Sequence, residues 1–328
     1  MSIRSLLLAP AAALALGLAS PALAANAGFT VVQMPDPQGP PVTVGIWYPT
    51  DAPAAPMILG LGSQTVAKGA PLAGDHLPLV VMSHGNGGVF SGHADTAQAL
   101  AEAGFVVAAL THTGDSYRDQ SRATDAANRP RQLSLLIDYM LTAAPMKAAI
   151  DPDRVGAFGF SAGGFTVLVA AGARPDLKTV GPHCQAHPDY FDCKLMKDHP
   201  PPADALQASW IHDARIKAVV SAAPALGYSL DVSQVTLPLQ LWRAENDQIL
   251  PDPFYATAVR TRLPKAPDYH LVAKAGHFDF LAPCNDENKT SAAFICSSAA
   301  GFDRAAFHRD FDAKVVGFFT ANLAAQRP

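Results

Sequence analysis

Ten residues constrain this chain more than any others: Val155-Gly156-Ala157-Phe158-Gly159-Phe160-Ser161-Ala162-Gly163-Gly164. An apolar run that reads as a buried strand leads into Gly-x-Ser-x-Gly, and a helix is expected from about Gly163. So tight a strand-to-helix reversal leaves no room for side chains beside the serine, and Gly159 and Gly163 supply that room. The turn would hold the Ser161 hydroxyl above a sheet edge. It would also aim the Ala162 amide, at the helix start, where an oxyanion would form. A glycine-rich turn with an incidental serine is the competing reading. The strand before and the helix after argue against it.

The rest of the chain alternates strands with helices. Phe29 to Gln33 and Val42 to Tyr48 read as an antiparallel edge pair around a Pro/Gly turn. Proline and glycine then suggest a surface excursion from Pro49 to Gly74. Buried strands are expected at Leu77 to Met82, Phe105 to Leu110, Ile216 to Ala222, Leu237 to Trp242 and Tyr269 to Ala273. Helical spacing marks Asp95 to Ala103, Arg131 to Leu141, Phe254 to Arg262 and Asp303 to Leu323, while Asp151 to Arg154 reads as a turn. Continuous apolar strands separated by helices predict an α/β fold. It is a mostly parallel twisted sheet with helices on both faces. Periodicity fails from Gly172 to Asp213, which reads as a loop-rich, cap-like insertion (172–213) in one domain spanning 25–328.

The 328 residues are 49% hydrophobic and only 16% charged, as a large buried core requires. A net charge of -4 gives no basic surface for nucleic acid. Residues 1–24 read as a cleaved export signal, with Arg4, an apolar Leu6 to Leu18 and a small-residue site at Ala22-Leu23-Ala24. Pro10 and Gly17 break that run, which argues against an anchor, and no later stretch reads as a membrane span. Export, periplasmic or secreted, makes disulfides the expected state of the four cysteines. The simplest pairing is Cys184 with Cys193 and Cys284 with Cys296, although four cysteines leave three pairings open.

A serine hydroxyl attacks only when a base takes its proton and an acid orients that base. The expected chain order is serine, acid, histidine. Of the eleven histidines, His277 follows the last strand within Ala275-Gly276-His277-Phe278-Asp279-Phe280, where a loop would carry it to the sheet's carboxyl edge. His308 falls in the charged closing helix, where an exposed face is the ordinary explanation. Asp247 in Ala244-Glu245-Asn246-Asp247-Gln248-Ile249-Leu250-Pro251 is the preferred acid, with Glu245 its rival. Asp279 stands too near His277 in sequence to buttress it. The loop Ser83-His84-Gly85-Asn86-Gly87-Gly88 offers the Asn86 amide as a second oxyanion donor beside Ala162, with His84 holding the loop. Phe90, Tyr117, Phe160, Trp210 and Phe278 are candidates for an apolar substrate pocket, core packing being the alternative for each.

These four segments together resemble the α/β-hydrolases. The likeness is nearest to exported predicted dienelactone hydrolases and more distant to platelet-activating-factor acetylhydrolases. It implies a serine hydrolase that cleaves a carboxylic ester of small or moderate size through an acyl-enzyme, without a cofactor. Dienelactone hydrolases use cysteine where Ser161 stands, so that named activity does not carry over. The acetylhydrolases take their acid after an earlier strand, but Ala218 to Leu226 holds no carboxylate, which supports Asp247. An amidase or polyester hydrolase with the same triad, and a non-catalytic binding protein on this scaffold, are the alternatives. His183, Cys184, His187, Cys193, His199 and His212 lack metal-ligand spacing, so no metal is expected.

Overall fold

The computed structural model describes residues 26–324; the leader expected over residues 1–24 lies outside them. The chain opens with β1 (Asn26–Met34) and β2 (Val42–Thr50), paired antiparallel as their alternation predicts. The stretch read as a surface excursion instead forms a hairpin, β3 (Ala55–Leu59) and β4 (Gly62–Lys68). Gly60, at φ +59°, makes the reversal, and Pro56 is tolerated because β3 is the outermost strand. Its polar Gln64 is buried where it accepts the Trp47 indole N–H at 2.8 Å, a partner invisible to local patterning.

There follow β5 (Leu77–Ser83), α1 (Ala94–Glu102), β6 (Val106–Leu110), α2 (Asn128–Thr142), β7 (Ile150–Phe160) and α3 (Ala162–Ala170). The expected turn at Asp151 to Arg154 belongs to β7, whose register against β5 shifts beside it. The region 172–213 is not all loop. It contains β8 (Arg174–Pro175), α4 (Val180–Ala186) and α5 (Phe191–Asp198). The chain then runs through β9 (Ile216–Ala222), β10 (Leu230–Asp231), β11 (Leu239–Ala244), α6 (Ala256–Arg262) and β12 (Asp268–Val272). The short helices α7 (Asp286–Ser291) and α8 (Ala293–Cys296) precede the long α9 (Arg304–Asn322).

The ten-stranded sheet has the order β3-β4-β1-β2-β6-β5-β7-β9-β11-β12. Neighbours from β6 to β12 are parallel, and β2 joins β6 antiparallel. Successive residues of the central strands face opposite cores, as the pleat demands. Leu79, Val81, Val106 and Ala108 join one cluster with α2 and α3, while Val80, Met82 and Val107 join the other with α1 and α9. Strand β5 lies between β6 and β7, so chain order reverses there. At such a point the loops leaving the strands part and open a crevice. Ser83 pairs with Gly159, which sets the loop after β5 beside the turn carrying Ser161. Among the described residues no helix is long and apolar enough to cross a membrane.

Candidate active site

Ser161 stands between β7 and α3 at φ +55° and ψ -117°, a region L-residues rarely occupy. Its amide donates to Ala222 O at 2.9 Å and its carbonyl accepts from Phe165 N and Ala225 N, so the strained turn is held from both sides. Both motif glycines are sterically required. A Cβ on Gly159 would stand 2.0 Å from Gly163 O, and one on Gly163 would stand 1.9 Å from Ser83 O. Ser161 is only 7% exposed.

His277 follows β12 on a short turn and is 2% exposed. Its Nδ1 lies 2.8 Å from Asp247 Oδ2. A carboxylate only accepts, so Nδ1 carries the proton and Nε2 keeps a free lone pair. Asp247 is itself pinned: its Oδ1 accepts from the amides of Ile249 at 3.0 Å and Leu250 at 2.7 Å. The rival Glu245 does other work, accepting from Lys274 N at 2.7 Å. The expected chain from hydroxyl to carboxylate is half closed. The acid and imidazole are joined, whereas Ser161 Oγ makes no hydrogen bond among the described residues. The imidazole lies against Phe160, the residue before the serine, with ring centroids 4.8 Å apart. Catalytic hydrogen bonds in unliganded proteins are often open and tighten around substrate.

Across the crevice, Gly85 to Gly88 form a turn closed by Gly88 N donating to Gly85 O at 3.0 Å. A Cβ on Gly85 would come within 3.2 Å of the Ser161 Cβ, so the turn rests directly on the serine. His84 holds it as expected. Its Nε2 accepts from His112 N at 2.9 Å, which leaves the proton on Nδ1 to donate to Gly85 O at 2.6 Å. Burial, with Arg129 nearby, holds His84 neutral, its pKa well below the usual imidazole value. Neither Asn86 N nor Ala162 N donates to a protein acceptor among the described residues.

Of the five aromatic candidates, only Phe160 and Phe278 lie against His277. Phe90 does not reach it; its ring fills the space above Gly45 and beside Trp47. Trp210 packs edge-on against Phe165 instead, and Tyr117 is 65% exposed. The five therefore do not form one wall. His308 corrects another expectation. It is buried rather than on an exposed face, with Nε2 2.9 Å from Asp279 O and Nδ1 2.6 Å from Asp95 Oδ2. Asp279, as expected, does not buttress the ring. It accepts from Gly276 N at 2.8 Å and Arg304 Nε at 3.0 Å, tying the histidine's loop to α9.

Both neighbouring cysteine pairs are disulfides, Cys184–Cys193 and Cys284–Cys296. His183, Asp192 and Cys193 do converge. The Cys193 sulfur is spent in its disulfide, and the Asp192 carboxylate accepts from the hydroxyls of Tyr228 at 3.0 Å and Tyr255 at 2.8 Å. Sequence reasoning missed Asp115 and Arg129, an ion pair buried beneath the Gly85 to Gly88 turn. One signal was present: Arg129 opens α2, where a cation opposes the helix dipole unless a carboxylate compensates it.

Residues 91–181 match the prolyl oligopeptidase family, peptidase S9. Two cutinases of Thermobifida alba, est1 and est2, are each 36% identical to this chain over 105 residues, which is 31% of this chain. The chain spans about a third (33%) of the length of these relatives. A ferulic acid esterase from Streptomyces cinnamoneus superposes with a TM-score of 0.61 at 19% identity, over 94% of this chain and 95% of its own. With a strand order that reverses at β5, a strained serine turn after β7 and this neighbour alike along nearly its whole length, the chain has the α/β-hydrolase fold.

Proposed function

We propose that this protein is an exported serine hydrolase that cleaves carboxylic esters. The observation that carries the reading is the His277–Asp247 pair, its imidazole against Phe160, the residue before a serine held at positive φ on a strand-to-helix turn. Ser161 Oγ attacks the ester carbonyl while its proton passes to His277 Nε2. Asp247 keeps the imidazole in that tautomer and stabilises the imidazolium. The carbonyl oxygen becomes an oxyanion, held by the amides of Asn86 and Ala162. Collapse expels the alkoxide, which takes the proton from His277 and leaves as alcohol. Water then adds to the acyl-enzyme by the same route and releases the acid.

The cutinases and the ferulic acid esterase support ester rather than other acyl chemistry. The peptidase match keeps an amide substrate in play, and the cutinases a polyester. The likeness to dienelactone hydrolases and acetylhydrolases stays with the motifs that suggested it. Two disulfides and the leader-like first residues support export. The 172–213 region is read as a cap, braced by Cys184–Cys193 and the Tyr228 and Tyr255 hydroxyls. The lack of a hydrogen bond between Ser161 Oγ and His277, both described residues, favours a second reading, a binding protein on a silent scaffold. Hydrolysis of 4-nitrophenyl acetate and butyrate separates the two. Wild type should turn over and Ser161→Ala should not; equal rates would sink the assignment.

A further inference from the structure

We infer that the buried Asp115–Arg129 pair is a positioning device for the oxyanion hole, setting both of its amides through one ion pair. The inference rests on the proposed ester hydrolysis. The two oxygens of Asp115 face opposite ways. Oδ1 accepts from Asn86 Nδ2 at 2.8 Å and from Gly87 N at 2.8 Å, so it grips the turn through the Asn86 side chain and the next backbone N–H. Oδ2 accepts from Arg129 Nη1.

The guanidinium then distributes the constraint. Its Nη2 donates to His84 O, immediately before the turn, and lies 3.5 Å from Ser83 Oγ. Its Nε donates to Thr166 Oγ1 at 3.1 Å. Thr166 Oγ1 in turn donates to Ala162 O at 2.7 Å, within the helix whose first amide is the second oxyanion donor. The loop after β5, the loop after β6, the start of α2 and the first turn of α3 therefore meet on one fork.

Both side chains are almost wholly buried, at 4% and 2% exposure. Taking two charges out of water is costly before pairing, and well-packed apolar residues often stabilise a fold as well or better. Bulk stability is thus a poor account of the pair. Its geometry supplies what an apolar plug does not: fixed acceptors for Gly87 N and the Asn86 side-chain Nδ2, and a fixed donor for His84 O. With Gly87 N held by Asp115 and Gly88 N by Gly85 O, the Asn86 backbone N–H makes no bond to a protein acceptor among the described residues and stays free for an oxyanion. An oxyanion hole is worth most when its donors need no rearrangement as charge develops.

The test is Asp115→Asn, assayed on 4-nitrophenyl butyrate and with an alkyl trifluoromethyl ketone. Ser161 Oγ adds to the ketone carbon, its proton moves to His277 Nε2, and the ketone oxygen becomes a stable oxyanion. The variant should retain the wild-type near-ultraviolet circular dichroism. Its kcat should fall on the order of 10²-fold with KM within a few-fold, ketone affinity should fall by the same factor, and the pH profile of kcat/KM should not move. A folded variant with wild-type kcat, or one whose kcat falls while ketone affinity holds, overturns the inference. Should Asp115→Asn not fold, Asn86→Ala removes only the side-chain contact to Asp115. A parallel drop of about tenfold in kcat and ketone affinity supports the inference, and no drop overturns it. Ester hydrolysis that survives Ser161→Ala would instead overturn the underlying reading, and the inference with it.

Discussion

Asp247 and His277, thirty residues apart in sequence, meet at 2.8 Å on the carboxyl side of two adjacent parallel strands. β11 delivers the carboxylate and β12 the imidazole, so the sheet's register fixes their separation. Asp247→Asn should lower kcat on the order of 10⁴-fold, because an amide in place of the carboxylate stabilises the wrong tautomer. Glu245→Gln should stay within a few-fold of wild type, since Glu245 only grips the Lys274 amide. Steady-state kinetics on 4-nitrophenyl butyrate distinguish the two carboxylates.

The serine turn predicts a sharp contrast among glycines. Gly163→Ala places a methyl 1.9 Å from Ser83 O, against rigid backbone, and should destabilise by more than about 3 kcal/mol. Gly317 lies in α9 with nothing within 4 Å of an added Cβ. Gly317→Ala should therefore stabilise by about 1 kcal/mol. Urea denaturation of both variants checks the pair of signs.

What could be read from the sequence, and what could not, divides along physical lines. The strands around Ser161 are buried on both faces, so each appears as an apolar run whatever its partners. Gly159 and Gly163 announce a close backbone approach, and His277 and Asp247 each follow a strand whose end marks the crevice. Arg129 and Asp115 carry no comparable signature. Each looks like an ordinary polar residue of a helix start or a loop, and their burial exists only once four segments have assembled. His308 is hidden the same way, its partner Asp95 lying on α1, far along the chain. The β3–β4 hairpin was masked by Pro56, Gly60 and Gly62, which punctuate edge strands as readily as loops.

The Asp95, His308 and Asp312 cluster between α1 and α9 should make stability depend on pH. Burial, with the Asp95 carboxylate close by, pushes Asp312 up to about 7, and the Thr96 hydroxyl donates to it at 2.6 Å. Burial opposes the charge on His308, but Asp95 outweighs it and raises the imidazole above its usual value. Between the ordinary carboxylate pKa and about 7 the folded state holds a proton on Asp312 that the unfolded chain has lost, so this group's contribution declines as pH rises. Asp312→Asn keeps an acceptor for Thr96 and removes that titration. Its melting temperature relative to wild type should climb from pH 4 to pH 7, as calorimetry would show; a constant difference would contradict the assignment.

The Cys284–Cys296 bridge closes a short loop beside the segment that carries His277. Arg304 reaches from α9 to Ile295 O, Ser297 O and Asp279, so the same region is also tied down without the bridge. Replacing both cysteines by serine should cost about 2–3 kcal/mol, the scale of a loop this short. Below the lowered melting temperature kcat should persist, which combined melting and activity curves would report.

The central claim is that Ser161 is a nucleophile activated by His277. Reaction with a fluorophosphonate followed by peptide mapping tests it most directly. A single adduct on Ser161, formed by wild type and suppressed by at least about a hundredfold in His277→Ala, is the predicted result. No adduct on Ser161, or labelling indifferent to His277, would contradict it.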